Sequence, residues 1–253
     1  QEDMLAFYEA RAMGGVGLII PEITRVNDVH GAGLMRQLSV TQDRHIPGLA
    51  RLATVVHKHG AKIFIQLHHP GRETVTALTG GQPVVSASAI PCKYLQQETR
   101  ALTTEEVQQL ITQFVAGAVR VQKAGCDGVE LHAAHGYLLQ QFLSPYTNKR
   151  EDQYGGSFEN RVRLLTELIA EIREKCEKDF IIAVRFGNPN YEELLKTADA
   201  VQAAGGDLLD VSSGMERYLD VPIGFTHDSK VYAASLVKAH TKLPVICVSS
   251  IFT

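Results

Sequence analysis

A recurring order of helix, glycine turn and short apolar strand runs along the whole chain. Helical spacing of apolar residues covers six segments: 2–13, 43–60, 103–125, 157–179, 191–206 and 229–243. Continuous apolar runs between them predict six strands, near 16–21, 62–67, 127–132, 180–186, 207–212 and 244–249. The sequence TTEE predicts a capping box at the start of the third helix. Helices that alternate with strands in this way predict the α/β class.

The predicted strands do not alternate between apolar and polar residues, which is typical of strands buried on both faces of a parallel sheet. The junctions GGVGLIIPE, AGCDGVELH and AGGDLLDVS indicate a weak repeat of one unit. A TIM (β/α)8 barrel needs eight such units. We therefore expect residues 1–253 to form a single barrel domain that lacks its first and last units and is truncated at both ends. The alternative is an open doubly wound sheet, which the absence of a GxGxxG fingerprint disfavours.

Composition and charge narrow the class of protein. The net charge is -3 and the isoelectric point is about 6.4, so we expect neither nucleic acid nor an anionic membrane surface as a partner. No apolar run reaches transmembrane length. The four cysteines form no CxxC pair, which indicates a reducing, cytoplasmic location and disfavours a metal or redox motif. The sequence permits a homo-oligomer without predicting one.

Polar residues follow the predicted strands at the end where parallel α/β folds place their active sites. They are Glu22, Gln66, the stretch from His132 to Tyr137, Arg185, Ser212 and Ser249. The His132-x-x-His135 spacing is compatible with a metal, but no third ligand is evident, so we predict no metal site. His68 and His69 are equally compatible with a position on the long loop 68–102. The NKRED cluster, 148–152, is predicted to be a solvated loop that ion pairs hold in place, with Ser157 as the N-cap of the next helix.

Several segments together resemble the old yellow enzyme family of FMN-dependent ene-reductases. The most specific of them is HAAHGYLLQQFLSPYTNKREDQYGGSFENRVRLL, which begins at His132. IFIQLHHPGR, EEVQQLITQFVAGAVRVQKAGCDGVELH, IIAVRFG and LLDVSSG resemble further landmarks of the family in the same order. The resemblance covers nearly the whole chain. It implies a TIM barrel that binds FMN at the carboxyl end of its strands.

The resemblance also implies a role for five residues. Gln66 matches the glutamine that hydrogen-bonds the flavin pyrimidine edge, and Arg185 matches the arginine beside flavin N1 and O2. His132 and His135 match the pair that holds a substrate carbonyl oxygen, and Tyr137 matches the tyrosine that protonates the α-carbon. The implied reaction is ping-pong, in which NADH or NADPH reduces FMN and a small activated alkene (an enone, enoate or enoyl thioester) is then reduced.

Two features depart from the family pattern. The family's first strand and the loops after its last strands, which carry flavin contacts and the phosphate site, find no match here. We therefore expect weak FMN binding by these residues alone. One alternative is the catalytic barrel of a larger protein similar to dienoyl-CoA or enoate reductases, and another is an inactive barrel without flavin. A barrel lyase or aldolase is disfavoured because no Schiff-base lysine or metal ligand set follows a strand.

Overall fold

Parallel strands that follow one another in chain order form the centre of the fold. The computed structural model describes residues 2–188, 190–214, 221–249 and 251. The strands are β1 (Leu18–Ile19), β2 (Thr24–Arg25), β3 (Leu38–Ser39), β4 (Lys62–His68), β5 (Val84–Ser86), β6 (Thr99–Ala101), β7 (Gly128–Ala133), β8 (Ile181–Phe186), β9 (Leu208–Val211) and β10 (Val245–Cys247).

The order of the strands confirms the predicted barrel. β1, β4, β7, β8, β9 and β10 lie side by side in that order, and every pairing between neighbours is parallel. Each of them overlaps one of the predicted strands. A doubly wound sheet reverses its strand order at a switch point. Since the described strands show no such reversal, the open-sheet alternative is wrong. Within the described residues, no pairing joins β1 to β10.

Seven α-helices accompany the strands in the described part of the chain. They are α1 (Glu2–Met13), α2 (Ile46–His57), α3 (Thr104–Lys123), α4 (Leu138–Leu143), α5 (Phe158–Lys175), α6 (Tyr191–Ala204) and α7 (Ser229–His240). The capping box of α3 is confirmed, because the Thr103 hydroxyl accepts from the Glu106 amide while the Glu106 carboxylate accepts from the Thr103 amide. Ser157 caps α5 as predicted. No helix in the described part of the chain has the length and apolar character needed to cross a bilayer.

Four short strands extend the predicted pattern. β2 and β3 pair with each other, and β2 also pairs with the carboxyl end of β4, at Leu67 and His68. β5 and β6 pair with each other inside the region 68–102 that was predicted to be irregular. β2 thereby lies beside the carboxyl end of β4, near the point where the polar residues converge, whereas β5 and β6 form a separate two-stranded sheet.

Helix burial supplies the main packing energy around the barrel. One face of α3 buries Val107, Leu110, Phe114 and Val121, and α5 buries a similar apolar face against it. Full burial of such a side chain contributes roughly 1.5–3 kcal/mol relative to exposure. The strands β4 and β7 are buried almost throughout. Most buried positions of this framework are apolar, and many of the buried polar side chains lie near the carboxyl ends of the strands.

Three buried polar side chains hold the connection between α4 and α5, and we call Asn148, Arg150 and Arg161 the loop clamp. Asn148 donates to two main-chain carbonyls at 2.7 Å. Arg150 donates to two further carbonyls and pairs with Asp152 at 2.5 Å. Arg161 donates to two carbonyls and pairs with Glu193 at 2.6 Å. The predicted ion pairing of this segment is confirmed, but Asn148 and Arg150 are more buried than a solvated loop implies.

Candidate active site

A cavity of about 780 Å³ opens at the carboxyl ends of the barrel strands. Its lining consists of Leu18, Ile20, Pro21, Glu22, Ile23, Gln66, Glu130, His132, His135, Tyr137, Arg185, Asp210, Ile246 and Val248. All five residues predicted for the site are among them. The volume lies within the range of small-molecule and cofactor sites, about 300–1,000 Å³.

Strand register brings the predicted residues together. Gln66 on β4 pairs in register with Glu130 on β7, and His132 on β7 pairs with Arg185 on β8. Side chains two residues apart on a strand point to the same side, so Glu130 and His132 both face the cavity. Three neighbouring strands thus present an amide, an imidazole and a guanidinium to one space.

A tight turn after β7 positions His135 and Tyr137. His135 has a φ of 57°, a left-handed conformation, and its amide donates to the carbonyl of Ser213 at 3.1 Å. The amide of Tyr137 donates to the carbonyl of Ala134 at 3.2 Å. The amide of Leu138, the first residue of α4, donates to the carbonyl of His69 at 3.0 Å. The turn is therefore fixed from three sides, which directs both side chains to the cavity.

Two buried glutamines on α4 hold this turn from below. Gln140 accepts from the Gly136 amide and donates to the carbonyl of Gly187, 2.6 Å away beyond β8. Gln141 donates to the carbonyls of Gly136 and Pro70, at 2.6 and 3.2 Å. The pair thereby links the ends of three strands. Gly71 has a φ of 60°, and a Cβ there would collide with the amide of Gln141, so this position requires glycine.

Four aromatic rings meet at the mouth of the cavity, and we call His68, His132, His135 and Tyr137 the aromatic cluster. The ring centroids of His132 and His135 are 5.0 Å apart, and those of His132 and Tyr137 are 4.9 Å apart. The His68 ring lies 4.4 Å from that of Tyr137. All of these contacts are edge-to-face, the arrangement that aromatic quadrupoles favour. His68 is therefore the buried last residue of β4 and belongs to the site.

Burial keeps the histidines of the cluster neutral. It lowers the pKa of His68 to about 3, that of His132 to about 2 and that of His135 to about 4. Nδ1 of His132 accepts from the Ala134 amide at 3.3 Å, so its proton resides on Nε2. This Nε2–H has no hydrogen-bond partner among the described residues. Nε2 of His135 lies 2.6 Å from the Ser212 hydroxyl.

Tyr137 keeps its proton at neutral pH. Burial raises the pKa of its phenol, and the charge of Glu73 adds to this effect. Within the described part of the chain its hydroxyl has no hydrogen-bond partner, whereas an aromatic residue with a purely structural role usually satisfies its hydroxyl. The phenol therefore has the protonation state and the free hydroxyl that a proton donor needs.

Two carboxyl groups that were not predicted lie at the base of the cavity, and we call Glu130 and Asp210 the carboxyl pair. Glu130 accepts from the side-chain amide of Gln66. Oδ2 of Asp210 lies 3.2 Å from Nε of Arg185. Burial raises the pKa of both Glu130 and Asp210, and the charge of Asp210 raises that of Glu130 further. A single acidic residue inside each apolar run, GVELH and LLDVSS, was the available signal.

Comparison with known proteins identifies the family. A sequence model of the family described as NADH:flavin oxidoreductase / NADH oxidase matches residues 1–252. The chain belongs to this family. A NADH oxidase of Thermoanaerobacter brockii is 41% identical over 258 residues, which cover 98% of this chain and 40% of the relative. A NADPH dehydrogenase of Halalkalibacterium halodurans is 40% identical over 225 residues, which cover 87% of this chain and 64% of the relative.

A solved structure supports the same assignment. The old yellow enzyme homologue from Zymomonas mobilis superposes with a TM-score of 0.81 at 27% identity, over 98% of this chain and 73% of the homologue. The predicted family is therefore confirmed, together with its TIM-barrel fold and its cofactors, FMN with NADH or NADPH. The chain spans about 40% of the length of the T. brockii NADH oxidase.

The side chains of this member of the NADH:flavin oxidoreductase family fit a flavin ring. Gln66 donates an amide hydrogen to Glu130, which leaves its Oε1 as an acceptor for a donor such as flavin N3–H. Arg185 pairs through Nε, which leaves its terminal nitrogens as donors for flavin O2 and N1. A metal would need a different arrangement. Among the described residues, no three His, Cys, Asp or Glu side chains are placed to hold a metal ion.

Proposed function

We propose that this barrel reduces activated C=C bonds of small molecules with electrons from NADH or NADPH, delivered through FMN. The convergence of the aromatic cluster and the Gln66–Arg185 pair on one cavity carries the proposal. When bound, FMN supplies hydride-transfer chemistry. The substrates are enones, enoates or enoyl thioesters, because the site offers donors for a carbonyl oxygen and an acid for a carbon.

Gln66 and Arg185 orient the flavin ring in this proposal. The amide of Gln66 accepts from the pyrimidine edge, and the guanidinium of Arg185 lies against the part of the ring where negative charge develops. A cation fixed in place by its ion pair with Asp210 stabilises the reduced state without reorganisation. The nicotinamide and the alkene use the same cavity in turn, which gives ping-pong kinetics.

His132 and His135 hold and polarise the substrate carbonyl. The Nε2–H of His132 is available as a donor. His135 donates through Nδ1–H, with its Nε2 accepting from the Ser212 hydroxyl, and the two ring centroids are only 5.0 Å apart, so we assign both donors to one oxygen. Since both rings are neutral, they stabilise developing negative charge by hydrogen bonding and lose no proton to the product. Tyr137 then donates its phenolic proton to the α-carbon.

The substitution Tyr137→Phe tests this assignment. Reduction of the bound flavin by the nicotinamide should be unchanged, because that half-reaction needs no proton from the phenol. Reduction of an enone should slow by roughly 10²–10⁴-fold, the usual contribution of a positioned general acid. Rapid-mixing kinetics separates the two half-reactions. Tyr146→Phe, at an exposed tyrosine outside the cavity, is the control. If both half-reactions slow together, or neither does, Tyr137 is structural.

A second candidate is that the chain is the catalytic barrel of a larger flavoprotein. The match to only 40% of the T. brockii NADH oxidase favours it. The intact mass of the protein isolated from its natural source tests it. All four cysteines are free, which supports a cytoplasmic location for either form. The proposed partner is the small-molecule alkene. A second copy of the chain is a further candidate, and mass spectrometry under native conditions tests for it.

A further inference from the structure

The carboxyl pair is an unusual component of a barrel interior. Glu130 and Asp210 are 0% and 3% exposed and come from β7 and β9, which are separated by β8. Side chains from alternate strands share a layer in a TIM barrel, and such layers usually consist of branched apolar residues. Two carboxyl groups in one layer beneath the cavity are costly to bury, so they require a specific arrangement of hydrogen bonds and charge.

We propose that Glu130 and Asp210 share one proton, that the pair orients Gln66 and Arg185 toward the flavin, and that it takes up a second proton when the flavin is reduced. Only the uptake of the second proton rests on the proposed function. Both residues are positioning residues, since they act on the flavin through Gln66 and Arg185.

One oxygen of each carboxyl group is already used. Glu130 accepts from the Gln66 amide through Oε2, and Asp210 faces Nε of Arg185 through Oδ2 at 3.2 Å. The remaining atoms, Oε1 of Glu130 and Oδ1 of Asp210, are buried and have no other hydrogen-bond partner among the described residues. Both side chains line the same cavity, and a side-chain interaction joins the two carboxyl groups. Two carboxylates in such contact repel, whereas one shared proton turns the repulsion into a hydrogen bond.

The shared proton also fixes the orientation of the two flavin-facing groups. Because Glu130 can only accept from Gln66, the Gln66 amide must turn its hydrogens toward the base and its oxygen toward the cavity. Asp210 forms an ion pair with Arg185 at 3.2 Å from Nε, and the terminal nitrogens of the guanidinium have no hydrogen-bond partner among the described residues, so they remain free to donate to a ligand. The pair therefore sets the polarity that the cavity presents to the flavin.

Charge balance favours one proton on the carboxyl pair while the flavin is oxidised. With one proton the pair carries one negative charge, which Arg185 offsets. Burial raises the pKa of both groups, and the pair thus holds its first proton near neutral pH. The titratable and charged groups that face the pair are Arg185 from β8, His132 from β7, Cys247 from β10 and Glu22 from the segment after β1, with Lys230 and Asp228 near Cys247.

Reduction of the flavin changes this balance. Bound FMN, once reduced by the nicotinamide, would carry additional negative charge, and Arg185 is the residue that would hold this charge. One unit of negative charge several ångströms away raises the affinity of a buried carboxylate for a proton by about tenfold or more. The pair then takes one proton from solvent, so both carboxyl groups are neutral, and it releases that proton when the alkene reoxidises the flavin.

Infrared spectroscopy of the protein without flavin tests the shared proton independently of the reaction. We expect a C=O stretching band of a protonated carboxyl group at pH 7 that shifts in deuterium oxide. In Glu130→Gln, a substitution of equal size, the band should disappear, because Asp210 alone beside Arg185 ionises. Asp152→Asn is the control, since Arg150 lowers the pKa of Asp152 to about 2 and its carboxyl is already ionised. Absence of the band, or its persistence in Glu130→Gln, would overturn the proposal.

Potentiometry of the holoenzyme tests the second proton. The pH dependence of the flavin midpoint potential gives the number of protons taken up with each two electrons. Near pH 7 we expect one proton more in the native protein than in Glu130→Gln or in Asp210→Asn. The native protein and the variants could take up equal numbers of protons while their flavin is bound and reduced by the nicotinamide. That result would refute the second proton and leave the proposed function intact. If no flavin is bound or reduced, the proposed function fails, and the infrared experiment still decides the shared proton.

Discussion

The segment from Glu130 to Arg161 contains buried polar side chains of two kinds. Those of the loop clamp have hydrogen-bond partners for their buried polar atoms, whereas those of the cavity do not all have them. Asn148, Arg150 and Arg161 of the loop clamp each have at least two main-chain acceptors. In contrast, Glu130 at the base of the cavity retains a buried oxygen without a partner. Asp210, which lines the same cavity, and His68, whose ring packs against those of His132 and Tyr137, retain such atoms as well.

This difference separates structural from functional burial. A buried polar group without a partner costs free energy, about 1–3 kcal/mol for each group. The loop clamp avoids this cost completely, as expected for side chains whose role is to fix the chain. The cavity retains the cost because its free donors and acceptors are reserved for a ligand or a shared proton. Substitutions in the two groups should therefore affect different measured quantities.

Arg161→Met should give the largest effect, and it should appear in stability. The substitution leaves the Glu193 carboxylate unpaired and two carbonyls without a donor, so we expect unfolding free energy to fall by about 3–5 kcal/mol. Urea denaturation measures this loss. Arg163→Met is the matched control, because Arg163 lies two residues away and its hydrogen bond to the carbonyl of Gln153 is exposed. Similar losses of unfolding free energy in both variants would show that burial of Arg161 in the loop clamp adds no stability beyond that of an exposed arginine.

His132→Asn should give the opposite result. The asparagine oxygen can replace Nδ1 as the acceptor for the Ala134 amide, but no atom replaces the Nε2–H donor. We expect alkene reduction to slow by about 10²–10³-fold, the usual cost of removing one oxyanion donor. The urea midpoint should change little. Steady-state kinetics and denaturation on the same sample check both statements, and a destabilised but active variant would contradict them.

Acid should affect the cavity before it affects the clamp. Burial lowers the pKa of both His68 and His69 to about 3 and that of His132 to about 2, while unfolding restores the ordinary value of 6.5. The unfolded chain therefore binds more protons below pH 6.5, and stability falls by about 1.4 kcal/mol per pH unit for each histidine. His69→Gln should reduce the slope by one such increment, as urea denaturation between about pH 6 and 4 would reveal.

The carboxyl pair opposes this trend without reversing it. Its raised pKa values mean that the folded protein binds more protons than the unfolded chain, so these two groups favour folding as the pH falls toward 5. The histidines outnumber them, and the net stability still falls. Within the clamp, Arg150 lowers the pKa of Asp152 to about 2, so this contribution is lost only below pH 3.8. If stability begins to fall only below pH 4, the expected order, in which the histidines lose stability before the loop clamp, is wrong.

The main strands could be predicted because burial on both faces produces long apolar runs such as IFIQL and IIAVRF. The short strands β2, β3, β5 and β6 could not be predicted. Each has only two or three residues, and sequences such as TR and LS carry no periodic pattern. Their strand geometry comes from neighbouring chain segments, since β2 pairs with the end of β4 far along the sequence.

The residues of the site were predicted unevenly for a similar reason. His132, His135 and Tyr137 lie in one short motif, so local sequence was sufficient. The contact between Glu130 and Asp210 joins residues 80 positions apart, and an isolated acid in each strand gives no indication of the other. His68 was ambiguous because its ring is buried by contacts with Tyr137 and His132, which lie on another strand and turn.

The left-handed backbone of His135 limits how this position can change during evolution. At a φ of 57°, glycine, asparagine and aspartate are tolerated well, whereas β-branched and bulky residues are strained. Glycine offers no side-chain donor, and aspartate at neutral pH would present negative charge to a carbonyl oxygen. Asparagine alone among them satisfies the backbone and still donates a hydrogen bond. Sequence drift at position 135 is therefore expected to exchange histidine with asparagine while other replacements are removed by selection.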